Sequence, residues 1–292
     1  MSKTTHSKDK TELIAGLFTI VLAAGLLYAL FVGFGHLRNK LAELSGSIRP
    51  TATIPSSQAQ ATVPTIPKNP FSHGDFVYQN GYLTCLAGES LLGVDVSEYQ
   101  GVIDWQTVAN HNIRFAMVRV GARGWGEAGN IIADAHWEAN LDGAAEAGLL
   151  TGVYFFSQAI SEEEAREEAR FVLDKLDGRA LQLPVVFDWE IIPSDSARTA
   201  DMKPDQLNRC AIAFCEEIRA AGYEPMVYFN QDIAYHMLDL NLMYQQAYPF
   251  WLAMYTSAMT FPYRVTLWQY TASGTVPGIN GLVDLDLYFI YD

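Results

Sequence analysis

The stretch Pro184–Glu190 reads PVVFDWE. Four residues suited to a buried strand run into two carboxylates with a tryptophan between them. Side chains on a strand alternate between faces, so Asp188 and Glu190 share one face and Trp189 takes the other. A buried strand that ends on two acids is costly, because like charges crowded together resist ionisation. The same grammar recurs along the chain. LLGVDVS (91–97), FAMVRVG (115–121), TGVYFFS (151–157) and EPMVYFN (224–230) are short apolar runs, as are WLAMY (251–255), VTLWQY (265–270) and VDLDLYF (283–289). With Pro184–Glu190 they make eight candidate strands. Helical patterns follow the first five, at 104–111, 133–147, 161–176 and 204–221 among others. Asp104 suits an N-cap, and Ser161 with Glu164 forms a capping-box pattern.

Near-continuous apolar strands joined by helices indicate a parallel sheet covered on its outer side. Eight of them in about 200 residues point to an α/β fold with one closed barrel, an abbreviated TIM-like β/α barrel, rather than an open sheet. No glycine-rich phosphate loop follows the first strand, which argues against nucleotide binding.

Upstream the composition changes twice. Leu13–Gly35 is 23 residues without a charge, longer than the roughly 20 needed to cross a bilayer. Lys3, Lys8 and Lys10 precede it and Arg38 and Lys40 follow, a bias toward a cytoplasmic N-terminus. The expected organisation is a cytoplasmic segment 1–12, a transmembrane signal anchor 13–35 and an extended Pro/Thr/Ser-rich linker 36–70. A lead-in hairpin 71–90 around Asn80-Gly81 and a barrel 91–292 complete it. The expectation is a single-pass protein of a cell membrane with its C-terminal domain outside as an independent, monomeric head.

The 292-residue chain is 50% hydrophobic, enough for a large core. Residues 71–292 hold 30 of the 33 acidic residues and only 12 of the 19 basic ones. Such a head repels nucleic acid and anionic lipid. Cys85, Cys210 and Cys215 have no metal-like spacing and read as buried thiols, with a disulfide through Cys85 as the alternative. No CxxC or HExxH motif occurs and the six histidines are scattered, so neither a zinc site nor another cofactor is expected.

In β/α barrels chemistry sits at the C-terminal strand ends. Asp95 lies near the end of the first candidate strand, Asp188 and Glu190 end the fourth, and Asp284 and Asp286 share a face of the last. One acid at a strand end is ordinarily a helix cap. Several aimed at one rim suit glycoside cleavage, or a divalent-metal phosphoesterase. The strand ends offer aromatics rather than the histidines and basic residues a phosphoesterase wants: Tyr154, Phe156, Trp189, Tyr228, Trp251, Tyr255, Trp268 and Tyr270. Flat aromatic faces suit pyranose rings. Trp189, on the opposite face, is expected to pack outward.

Four blocks then resemble glycoside hydrolase family 25 muramidases, in order over 91–292: GVDVSEYQGVIDW (93–105), GVYFFSQA (152–159), PVVFDWE, and WQYTASGTVPGINGLVDLDLYF (268–289). The resemblance implies hydrolysis of the β-1,4 bond between N-acetylmuramic acid and N-acetylglucosamine in peptidoglycan. It implies Glu190 as general acid, Asp188 as its partner in stabilising charge or orienting the N-acetyl group, and Asp95 and Asp284 completing an acidic ring. Tyr154, Phe156, Tyr228, Trp268 and Asp286 are the expected substrate contacts. Substrate-assisted and inverting routes both remain open, and a non-cutting wall-binding module is the alternative from another class.

Overall fold

A computed structural model describes residues 65–291. The expected anchor 13–35 and most of the linker lie outside the described residues. Among the described residues no helix is long and apolar enough to cross a membrane.

A hairpin of β1 (Phe76–Gln79) and β2 (Tyr82–Cys85) leads in. Its turn is Asn80-Gly81, both with positive φ (53° and 88°), the backbone that a two-residue hairpin requires. The barrel follows: β3 (Ser90–Val96), α1 (Trp105–Asn110), β4 (Phe115–Arg123), β5 (Ile131–Ala133), α2 (Trp137–Glu146), β6 (Leu150–Ser157), α3 (Glu162–Leu176), β7 (Val185–Trp189), α4 (Pro204–Ala220), β8 (Pro225–Asn230), α5 (Gln231–His236), α6 (Leu240–Gln245), β9 (Phe250–Ala253), β10 (Leu267–Gly274) and β11 (Val283–Phe289). Strands β3, β4, β6, β7, β8, β9 and β10 pair in parallel in that order. The last strand, β11, runs antiparallel to both β10 and β3 and closes the ring of eight. Short β5 hangs antiparallel on β4 outside the ring.

Helices follow the first five barrel strands and none follows β9 or β10, as the sequence pattern indicates. Local signals explain their ends. Asp104 accepts from the Thr107 amide at 3.0 Å and caps α1. Ser161 accepts from the Glu164 amide at 3.2 Å. The reciprocal half of the expected capping box is altered, because the Glu164 carboxylate instead accepts from the Ile160 amide and pairs with Arg198.

Alternation sorts the core into two layers. Outward residues such as Val94, Val118, Phe155, Phe187, Trp189 and Phe229 pack with the helices. Inward residues Phe115, Met117, Val186, Met226, Tyr228, Trp251 and Leu267 fill the barrel itself. The filling is tight. A Cβ on Gly93 would fall 2.3 Å from the Phe115 ring, so glycine there is the space that the ring occupies.

The N-terminal segment covers the outer face of β10 and β11, which no helix among the described residues covers. Phe71 packs on Phe289 at 4.7 Å, and Phe76 meets Trp268 edge-on at 5.1 Å. Residues 66–69, upstream of the expected linker boundary at 70, already pack on the head. Ile66 is buried, Lys68 pairs with Tyr263, and the Asn69 amide donates to the Pro262 carbonyl. Composition cannot show that, since the contacts are made by backbone, one isoleucine and the Asn69 side chain, which donates to the Met259 carbonyl. The three cysteines are free, buried thiols.

Overpacking gives a direct test of the barrel floor. Gly93→Ala should cost about 1–3 kcal/mol in chemical denaturation. Combined with Phe115→Leu, which opens room at the same spot, the two losses should be less than additive. Strict additivity would show that the ring does not limit position 93.

Candidate active site

The parallel strands bring Asp95, Asp188 and Glu190 to one mouth by ending there. Asp284 arrives by a different route. It is near the start of β11, and because β11 is reversed its start lies at the mouth, with Asp284 directly opposite Asp95. Asp286, two residues on, pairs with Gly93 one layer deeper. The mouth is a small open pocket of about 230 Å³ lined by Asp95, Asp188, Glu190 and Asp284, by Tyr99, Tyr154, Phe156, Tyr228 and Tyr255, and by Arg119 and Gln269 among others. A roomier cavity of about 490 Å³ lies toward the other end, between the hairpin and β3, and holds no carboxyl cluster.

Gln269 organises the acids. Its Nε2 donates to Asp95 Oδ2 at 2.8 Å, and its Oε1 accepts from the hydroxyls of Tyr228 (3.0 Å) and Tyr255 (3.1 Å). The carboxyls of Asp284 and Asp286 lie beside that of Asp95, and such crowding favours protons on the group. Asp286 Oδ1 accepts from Trp251 Nε1 at 2.9 Å. On the facing wall Arg119 donates through Nε to Asp134 Oδ2 at 2.9 Å and through Nη2 to Glu98 Oε1 at 3.2 Å. Its guanidinium lies 5.0 Å from the centre of the Tyr99 ring.

Burial governs the protonation of all five acids. Loss of water pushes Asp95 and Asp188 well above the usual carboxyl range, with the charges of Asp286 on the first and Glu190 on the second adding to it. Asp284 rises to about 9 through burial and then Asp95, and Asp286 to about 8 through burial. Glu190, at the open edge, rises to about 6, from burial. An acid beside an anion was the expectation for Glu190 and Asp188. The structure instead holds the proton more firmly on Asp188, which is more deeply buried than Glu190 and whose Oδ1 has no hydrogen-bond partner.

Two expected substrate contacts fall outside the pocket. Trp268 is fully buried on the outer face of β10, donates to the Met254 carbonyl at 2.8 Å and packs under the hairpin. Alternation puts Leu267 and Gln269 inward, and a tryptophan between them must face out. Tyr270 faces out likewise, within 3.4 Å of the Leu83 amide. Asp286 is fully buried beneath Asp95 and does not line the pocket. Tyr154, Phe156 and Tyr228 do line it, and Trp189 packs outward with the helices as expected. Sequence reasoning missed Arg119, Tyr99 and Gln269. Arg119 and Gln269 carried a usable signal, since each is a polar residue in the inward phase of an apolar strand.

A family model described as glycosyl hydrolases family 25 matches residues 94–279, more than half of the chain. The chain belongs to that family. Family 25 is a group of lysozyme-type peptidoglycan hydrolases, and the matched segment carries every strand of the mouth except β11. The uncharacterized protein YegX of Escherichia coli K12 is 28% identical over 234 residues, 73% of this chain and 78% of that one. Lysozyme M1 of Streptomyces globisporus is 28% identical, covering 66% and 65%. The modular autolysin LytC from Streptococcus pneumoniae shares the fold with a TM-score of 0.61 at 23% identity, covering 73% of this chain and 52% of that one.

The raised carboxyl of Asp284 fixes a sign for stability. A carboxyl that holds its proton more tightly when folded adds no penalty below the unfolded value near pH 4 and a growing one as pH rises toward about 9. Asp284→Asn should therefore melt several degrees above the parent at about pH 8 and equal to it at about pH 4. Calorimetry across that range checks it, and a pH-independent difference would contradict the assignment.

Proposed function

We propose that this family 25 protein is an N-acetylmuramidase that cleaves the β-1,4 bond between N-acetylmuramic acid and N-acetylglucosamine, with Glu190 as general acid. The observation that carries the reading is Glu190 itself, a carboxyl of raised pKa at the open edge of an aromatic-lined acidic pocket. A proton donor must hold its proton near working pH and still reach the substrate. Glu190 meets both conditions, whereas Asp95 and Asp286 are tied up below it.

In this reading the Glu190 proton moves to the bridging oxygen as the bond from C1 of N-acetylmuramic acid to that oxygen breaks. Positive charge develops at C1, and Asp188, holding its proton, orients the 2-acetamido group by hydrogen bonding. Water supplies the hydroxyl at C1 and returns a proton to Glu190. Asp95 and Asp284 keep the floor of the pocket acidic and fixed. Tyr154, Phe156 and Tyr228 offer rings and hydroxyls to the sugar. A bound sugar strips water from Glu190 and raises its pKa further, which suits an acid.

We also propose that residues 13–35 anchor the chain in a bacterial membrane, with the catalytic head on the outside. The support is the uncharged 23-residue run and its flanking lysines. Retention of the full chain in the membrane pellet after alkaline washing, lost when 13–35 are deleted, is the expected result.

Turbidity clearing of purified peptidoglycan tests the chemistry. Glu190→Gln keeps the shape and removes the transferable proton, so the rate should fall about 10²–10⁴-fold with binding to the wall retained. For the parent, kcat/KM should decline as pH rises through about 6, because the acid must be protonated. EDTA should leave the rate unchanged, and an inhibition reversed by added divalent metal would support the phosphoesterase reading. A parent that binds the wall without clearing it would support a binding module instead.

A further inference from the structure

Glu190 stands one residue beyond β7, past the last ladder pairs at Trp189 and Asp188. Its place therefore depends on what holds the chain just after the strand. The Gln158 side chain is fully buried at the end of the neighbouring strand β6. Its Nε2 donates to the Glu190 carbonyl at 2.9 Å and to the Ser157 carbonyl at 2.9 Å. Those carbonyls can only accept, which fixes the Nε2 end toward Glu190, and Oε1 accepts from the Thr199 hydroxyl at 2.8 Å and is held there. From the geometry we infer that Gln158 is a positioning residue that aims Glu190, and that Thr199 holds it in that orientation.

The platform beneath Gln158 is rigid. Ser157 Oγ donates to Glu168 Oε2 at 2.6 Å, and Arg123 Nε donates to Glu168 Oε1 at 2.6 Å, all three side chains being buried. Arg198 donates through Nη1 to the Gln158 carbonyl at 2.8 Å, and its guanidinium takes both oxygens of Glu164 at 2.8 and 2.6 Å. Helix α3, strand β6 and the loop carrying Arg198 and Thr199 thus converge on one glutamine amide. None of these groups lines the pocket, so the contribution to catalysis runs through Glu190 alone. Misplacement of a reacting group by about 1 Å can cost on the order of 10²-fold in rate.

The inference rests on Glu190 being the acid. The full chain carrying Gln158→Met, which keeps the volume and removes the amide, should clear peptidoglycan with kcat lowered about 10–100-fold per folded molecule. KM should stay within about threefold, since sugar contacts are untouched. Thr199→Val should lower kcat in the same direction, and Thr199→Ser should restore it, because the serine hydroxyl can make the same bond. Should Gln158→Met fail to fold, the Thr199 pair decides by itself. Parent-like kcat in Thr199→Val, with Glu190→Gln inactive, overturns the positioning role while leaving the acid in place. An active Glu190→Gln overturns both.

Discussion

Five carboxyl groups occupy a space from which water is largely withdrawn, and that crowding is what the rest of the barrel is arranged around. Asp95 stands at its centre, beside Asp284 and Asp286 and hydrogen-bonded by Gln269. Such a cluster survives only if some members keep their protons and others find fixed donors. Gln269 and Trp251 supply neutral donors inside the barrel. Arg119 supplies a charge, yet Asp134 and Glu98 hold it against the far wall, so it moderates the pocket without neutralising any one acid. A mouth built this way is poised to give up protons rather than to collect cations.

That arrangement opposes stability, and the fold absorbs the cost elsewhere. The barrel interior below the acids is packed to the point that glycine is needed at 93 and 152, where a side chain would strike Phe115 or Met117. Outside, the helices bury a second apolar layer, and a buried Arg123–Glu168 pair ties α3 to two adjacent strands. Functional sites commonly trade stability in this manner.

Much of this was legible beforehand, for a physical reason. Period-two alternation and apolar run length locate all eight barrel strands, and the Asn80-Gly81 pair marks the hairpin turn, because these are local properties. What local reasoning lacks is the direction of β11 and the identity of each strand's inner phase. Asp284 looks mid-barrel in a parallel strand and reaches the mouth only because the strand is reversed. Trp268 looks like a sugar platform when aromatics are counted along strand ends without regard to face. The phase of its neighbour Gln269, polar within VTLWQY, would have corrected that. Short β5, α5 and α6 carry too few residues for a periodic signal.

The reversal of β11 also decides where the described ends of the chain meet the barrel. Because β11 finishes at the barrel base, Phe289 and Tyr291 lie there beside Phe71, and the bridge from Lys68 to Tyr263 enters at the same end. The described chain, from residue 65, is therefore joined to the barrel at the pole opposite the acids. Both described ends of the head thus share one pole and leave the acidic rim at the other free of chain termini.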